Sequence, residues 1–238
     1  MDARVRKLAE LAPSPRSGPA FGLEALSGRF VELSGAQATG VLTAAFGLVL
    51  EAQFRGEIVA WVAPASGTFF APDAHDGGID LDALVVVRVP DATAAGRAAD
   101  QLLRSGGFGL VILDLHAAPG VNPGAALERG APAPRTPGPG VSALPRRRPG
   151  DASLPPALQS RLAGLAQKHD ATIVALTEKR PDQASLGAMV SLRAEARRGA
   201  GFTCVVRALK DRRRGPGGAD RVEPCRPPDG AAPGANVA

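Results

Sequence analysis

Residues 108–115, Phe-Gly-Leu-Val-Ile-Leu-Asp-Leu, form a nearly continuous apolar run that includes an aspartate near its end. A strand of that kind has no wet face, so it fits inside a sheet covered on both sides. The runs 57–63, 84–89 and 171–177 share this character, and 29–34 alternates apolar and polar residues. Helix-permissive stretches at 41–55, 92–104 and 156–168 lie among these runs. Residues 64–82 are loop-rich, with room for one helical turn. Strands that alternate with helices predict an α/β fold, a mostly parallel sheet flanked by helices. Two more strand candidates, 188–197 and 201–210, set Val190, Leu192, Ala194, Phe202, Cys204 and Val206 against Arg193, Glu195 and Arg207. Such alternation predicts one wet face and antiparallel strands at the edge of the sheet.

The 238 residues divide unevenly. Residues 1–20 read as an N-terminal helix and linker, with Val5, Leu8 and Leu11 at helical spacing before Pro13 and Pro15. The core spans 21–214. Within it, 117–156 holds ten prolines and six glycines in forty positions, and reads as a mobile Pro/Gly-rich insertion. Residues 215–238 read as a disordered basic tail. No apolar window reaches membrane-spanning length, and no apolar stretch follows the N-terminal charges. With only Cys204 and Cys225, a disulfide scaffold or zinc site is not expected, and a reducing cytoplasm is.

Residues 1–192 hold 18 basic and 18 acidic residues, so the net charge of +5 comes wholly from 193–238, with 10 bases and 5 acids. Arg197, Arg198, Arg207, Lys210, Arg212, Arg213 and Arg214 cluster at the last strand and its exit, and Arg146 to Arg148 sit in the insertion. A local positive field of this kind attracts phosphate backbones or an acidic partner. It reads equally as a solvated edge that blocks sheet-to-sheet aggregation. The chain has no Tyr and a single Trp in a core strand, which gives no stacking platform for bases.

Ligands of open α/β sheets bind beyond the C-terminal ends of the strands. There the first strand runs into Gly35-Ala36-Gln37-Ala38-Thr39-Gly40-Val41-Leu42. The glycines Gly35 and Gly40 have P-loop spacing, but Val41 replaces the phosphate-binding lysine and Leu42 the Mg²⁺-binding Ser/Thr. Asp114 ends its strand where a Mg²⁺-holding carboxylate would stand, or it caps the loop that follows. His75, His116 and His169 are scattered and form no metal spacing. No catalytic residue, metal or cofactor is expected.

This pattern resembles the RecA-fold family. The stretch Gly28-Arg29-Phe30-Val31-Glu32-Leu33 looks like the strand that opens the RecA core. Ile79-Asp80-Leu81-Asp82-Ala83-Leu84 resembles the link into its third strand, and 92–114 its helix and Walker B strand. Residues 156–178 resemble the next helix and strand. The family's catalytic glutamate has no counterpart in Ala63-Pro64-Ala65-Ser66, and Lys179 to Gly187 is short for its second DNA-binding loop. The stretch Leu209 to Gly218, with Cys225-Arg226-Pro227-Pro228-Asp229-Gly230, is similar to the C-terminal signature of ImuA proteins. That resemblance implies a non-catalytic adaptor of damage-inducible translesion synthesis and SOS mutagenesis. The implied partners are an ImuB-like relative of Y-family polymerases, RecA, an error-prone replicative-type polymerase subunit and non-specific DNA. It also implies self-association, with the N-terminal helix on a neighbouring protomer. A SulA-like cell-division inhibitor, and a residual RecA-type ATPase or DNA-binding recombination mediator, are the alternative readings.

Overall fold

The computed structural model describes residues 21–36, 40–64, 67–116, 154–199 and 203–213, and the backbone of 221–224. The N-terminal helix, the insertion residues up to 153, Arg146 to Arg148 and Arg214 lie outside the described residues. The elements run α1 (Leu23–Leu26), β1 (Phe30–Ser34), α2 (Val41–Phe54), β2 (Val59–Pro64), α3 (Ala71–Asp76) and β3 (Leu84–Val89). They continue with α4 (Ala92–Arg104), β4 (Leu110–Asp114), α5 (Pro156–Lys168), β5 (Thr172–Thr177), β6 (Leu192–Arg198), β7 (Thr203–Asp211) and β8 (Arg221–Pro224). One eight-stranded sheet has the order β3-β2-β4-β5-β1-β6-β7-β8. β3 through β6 in that order are mutually parallel, and β7 and β8 add antiparallel partners.

Strand alternation sends side chains into two cores. Val31, Leu33, Trp61, Ile112, Val174 and Leu192 face the core under α1, α2 and α3. Phe30, Val62, Val111, Leu113, Ile173 and Ala175 face the core under α4 and α5. α4 begins where Asp91 caps it, Oδ1 accepting from Ala94 N at 2.8 Å. It then packs so closely on α5 that a Cβ on Gly96 would lie 2.5 Å from Leu158 Cδ2. The mostly parallel α/β sheet expected from the apolar runs is the fold observed.

Antiparallel strands do lie at that edge, as β7 and β8, but three expectations about the last strands are corrected. β6 is not an edge strand: it pairs parallel with β1 on one side and antiparallel with β7 on the other. Arg193 and Glu195, read as a wet face, are buried because each finds an ionic partner. β8 falls inside the stretch expected as a disordered tail, where it pairs with β7 and forms one edge of the sheet. The other edge is β3, as apolar in sequence as the central strands, with Val85 40% and Val86 38% exposed.

Arg29, just before β1, ties the end of β7 to the start of the sheet. Its guanidinium donates to Asp211 Oδ1 at 2.6 Å and to the Ser191 carbonyl at 3.1 Å, with both charged side chains almost fully buried. Removing one partner leaves an uncompensated buried charge. Arg29→Met is expected to lower unfolding free energy by about 3–5 kcal/mol in urea titrations. Arg55→Met, whose pairs are solvent-exposed, should cost under about 1 kcal/mol.

Candidate functional site

The upper end of the sheet gathers Gly35 and Ala36, the start of α2 at Gly40 to Leu42, Asp114 at the end of β4, and the connection from β5 to β6; residues 37–39 lie outside the described residues. Gly35 is held to β5 by its N–H, which donates to the Thr177 carbonyl at 3.2 Å. Gly40 starts α2 and lies hard against β7. A Cβ there would be 2.9 Å from Cys204 Cβ, and Cys204 Sγ donates to the Gly40 carbonyl at 3.3 Å. Val41 is buried, and Leu42 packs against the same core. At the two positions where a P-loop needs an ammonium and a hydroxyl, this chain has apolar side chains that serve packing.

Asp114 is fully buried, and its carboxylate is occupied from within. Oδ2 accepts from Thr68 N at 2.8 Å and Thr68 Oγ1 at 2.9 Å. Oδ1 accepts from His116 N at 3.1 Å and faces His116 Nδ1 at the same distance. Burial pushes this carboxyl up, but the bonds and charge of His116 and the bonds from Thr68 outweigh it. The group is held below its ordinary value. A Cβ on Gly67 would stand 2.7 Å from Ala63 Cβ and 3.1 Å from Asp114 Oδ2. Glycine therefore allows this loop to close over the carboxylate.

A second buried carboxylate, Glu32 on β1, was missed by sequence reasoning. Oε1 accepts from Thr177 Oγ1 and Lys179 Nζ, each at 3.0 Å. Oε2 accepts from Ser185 Oγ and Leu186 N, each at 2.7 Å, and lies 3.9 Å from Arg193 Nε. Strand alternation placed Glu32 on a polar face. Its burial depends on partners some 150 positions away along the chain, which no local pattern displays. Burial pushes the Glu32 carboxyl up, but the Leu186, Ser185 and Lys179 bonds and the Lys179 charge hold it below its ordinary value. A cavity of about 300 Å³, lined by Ala36, Glu178, Lys179, Arg180 and Gln183, lies beside this network.

The basic residues of the last strands divide between the two faces of the sheet, Arg197, Arg207 and Lys210 on one and Arg198 on the other. Arg197 is half exposed and paired to Glu195 Oε2 at 2.6 Å. The register sets Arg207 opposite Glu195 and Lys210 opposite Arg193. By alternation Arg198 falls on the other face, in register with Cys204. Arg212 and Arg213 follow the end of β7, where Arg213 Nη1 donates to the Ser27 carbonyl at 3.2 Å. Trp61 is fully buried in a cluster with Phe46 and Phe69, their ring centroids 5.2–6.3 Å apart. Among the described residues no three His, Cys, Asp or Glu form a metal-binding group, and no helix is long and apolar enough to cross a membrane.

The sign of the pH dependence follows from Glu32. Its folded pKa lies below the unfolded value, so the ionised carboxylate stabilises the fold above about pH 4.3. That contribution is lost as pH falls through the folded value. Glu32→Gln should cost roughly 3 kcal/mol at pH 7 in urea unfolding. The gap between the two proteins should shrink as pH falls below the unfolded carboxyl's titration range and through the lowered folded value.

Comparison with known proteins agrees with this geometry. Residues 19–130 match the RecA N-terminal domain. A RecA protein of Nocardioides sp. is 38% identical over 91 residues, 38% of this chain and 26% of that protein. RecA of Bifidobacterium breve is 33% identical over 100 residues, 42% of this chain and 25% of that protein. RecA of Fusobacterium nucleatum is 34% identical over 91 residues, 38% of this chain and 24% of that protein. The chain thus covers about a quarter of the length of these relatives, and the stretch matched to the RecA N-terminal domain includes Gly35, Gly40 and Asp114. This is a RecA-like α/β fold in which Val41 and Leu42 occupy the two P-loop positions that hold phosphate and metal.

Proposed function

We propose that this chain is a RecA-like accessory protein without nucleotide chemistry. In this reading it is an ImuA-like adaptor of damage-inducible translesion DNA synthesis that acts through protein contacts. The observation that carries it is the state of Asp114. The three hydrogen bonds from Thr68 and His116, with His116 Nδ1 facing Oδ1, engage the oxygens that a bound cation would need, and the adjoining loop has neither lysine nor hydroxyl at the two decisive positions. Fold and chemistry are thereby separable: the sheet is kept for its surfaces. The proposed partners are an ImuB-like polymerase relative, RecA and an error-prone replicative-type polymerase subunit. Contact with an acidic partner or a DNA backbone is proposed for Arg197, Arg198, Arg207, Lys210 and Arg212 to Arg214, and no cofactor is assigned.

Isothermal titration with ATP and Mg²⁺ tests this reading. No saturable heat is expected up to about 100 µM nucleotide. Val41→Lys with Leu42→Thr should not create hydrolysis. Clear micromolar binding by the unaltered chain would favour the residual ATPase. Pull-down should recover a Y-family polymerase relative, and recovery of a division GTPase in its place would overturn the assignment in favour of a division inhibitor.

A further inference from the structure

The connection between β5 and β6 carries more internal restraint than an exposed surface segment needs. Residues 178 and 180–184 are largely exposed. Beneath them, polar groups find partners inside the protein. Lys179 Nζ donates to the Ala184 carbonyl at 3.2 Å as well as to Glu32. The Arg193 guanidinium donates to the Gln183 carbonyl and, at 2.8 Å, to the Arg180 carbonyl. Arg180 N donates to Gln183 Oε1 at 2.7 Å. Gln159 on α5 donates to the Leu186 carbonyl at 3.3 Å.

We propose that Glu32 is a positioning residue whose buried carboxylate latches residues 179–186 onto the ends of β1 and β5. The surface those residues form beside Ala36 is thereby held in one arrangement with no ligand needed to order it. The reason is energetic. A carboxylate at a fully buried strand position is strongly disfavoured unless it is hydrogen-bonded and paired. Three of its donors, Lys179 Nζ, Ser185 Oγ and Leu186 N, belong to the segment itself. Lifting the segment strips these partners together, so partial opening is penalised and the closed state is the stable one. An apolar side chain at position 32 would stabilise the sheet without reporting on the segment. Glu32 makes the two interdependent.

The latch also shapes the neighbouring cavity. Lys179, Arg180 and Gln183 line it and take part in the network, and Ala36, just beyond β1, lines it as well. A partner meeting this surface finds it preorganised and loses little ordering entropy on binding. None of this requires a bound nucleotide.

Hydrogen exchange read by mass spectrometry on the full chain, with no ligand added, tests the latch. In the unaltered protein the amides of 180–186 should exchange far more slowly than in an unstructured peptide. Glu32→Gln should accelerate them at least about tenfold while peptides from β2 and β4 keep their protection. Ser185→Ala and Lys179→Met each remove one donor and leave the carboxylate otherwise paired. They should give smaller, local accelerations even if Glu32→Gln fails to fold. The proposal is overturned if 180–186 exchanges at the free-peptide rate in the unaltered chain. It is equally overturned if folded variants change global stability without accelerating this segment ahead of the rest.

Discussion

β1 lies between β5 and β6, with its residues facing the two cores alternately. This register decides where every group at the upper end of the sheet can go. It sets Glu32 level with Ala175 on one side and Arg193 on the other. From there Thr177 is two residues further along β5, and the segment leaving β5 must pass over the carboxylate. A shift of one residue would turn Glu32 into the core beneath α2, where Val31 and Leu33 now pack, and would bury its charge without donors. The parallel register and the buried network therefore specify each other.

Asp114 obeys the same rule on the opposite face. Both carboxylates are buried, and both are held ionised by internal donors that outweigh the cost of burial. They differ in what they hold. Glu32 fixes the connection after β5, and Asp114 fixes the loop after β2 through Thr68. Between them they tie the irregular segments at the upper end to the sheet by charge-assisted bonds. The two carboxylates at that end are engaged by the protein itself.

Much of the fold was legible in the sequence. The periodicity over 92–104 and 156–168 coincides with α4 and α5, because glycines and prolines punctuate those stretches. The apolar runs marked the parallel strands to within about two residues. What escaped were features set by distant partners. Arg193 and Glu195 look like solvent-facing residues until Glu32 and Arg197 are placed beside them. β8 is too short, and too isolated among glycines and prolines, to announce itself without β7 as template. In the candidate site, the losses at Val41 and Leu42 were visible at once. The occupation of Asp114 was not, because Thr68 is 46 residues away and His116 looked like one of three scattered histidines.

The RecA-like sheet is thus kept by packing and by two internally satisfied carboxylates, and the proposed adaptor role rests on its surfaces. Manganese-induced line broadening, read on the amide and imidazole signals of the chain in the presence of ATP, probes the state of Asp114 itself. The signals of Thr68, Asp114 and His116 are expected to stay sharp as Mn²⁺ is added. Selective broadening of those three residues at micromolar Mn²⁺ would contradict a carboxylate occupied from within, because it would then be holding a metal.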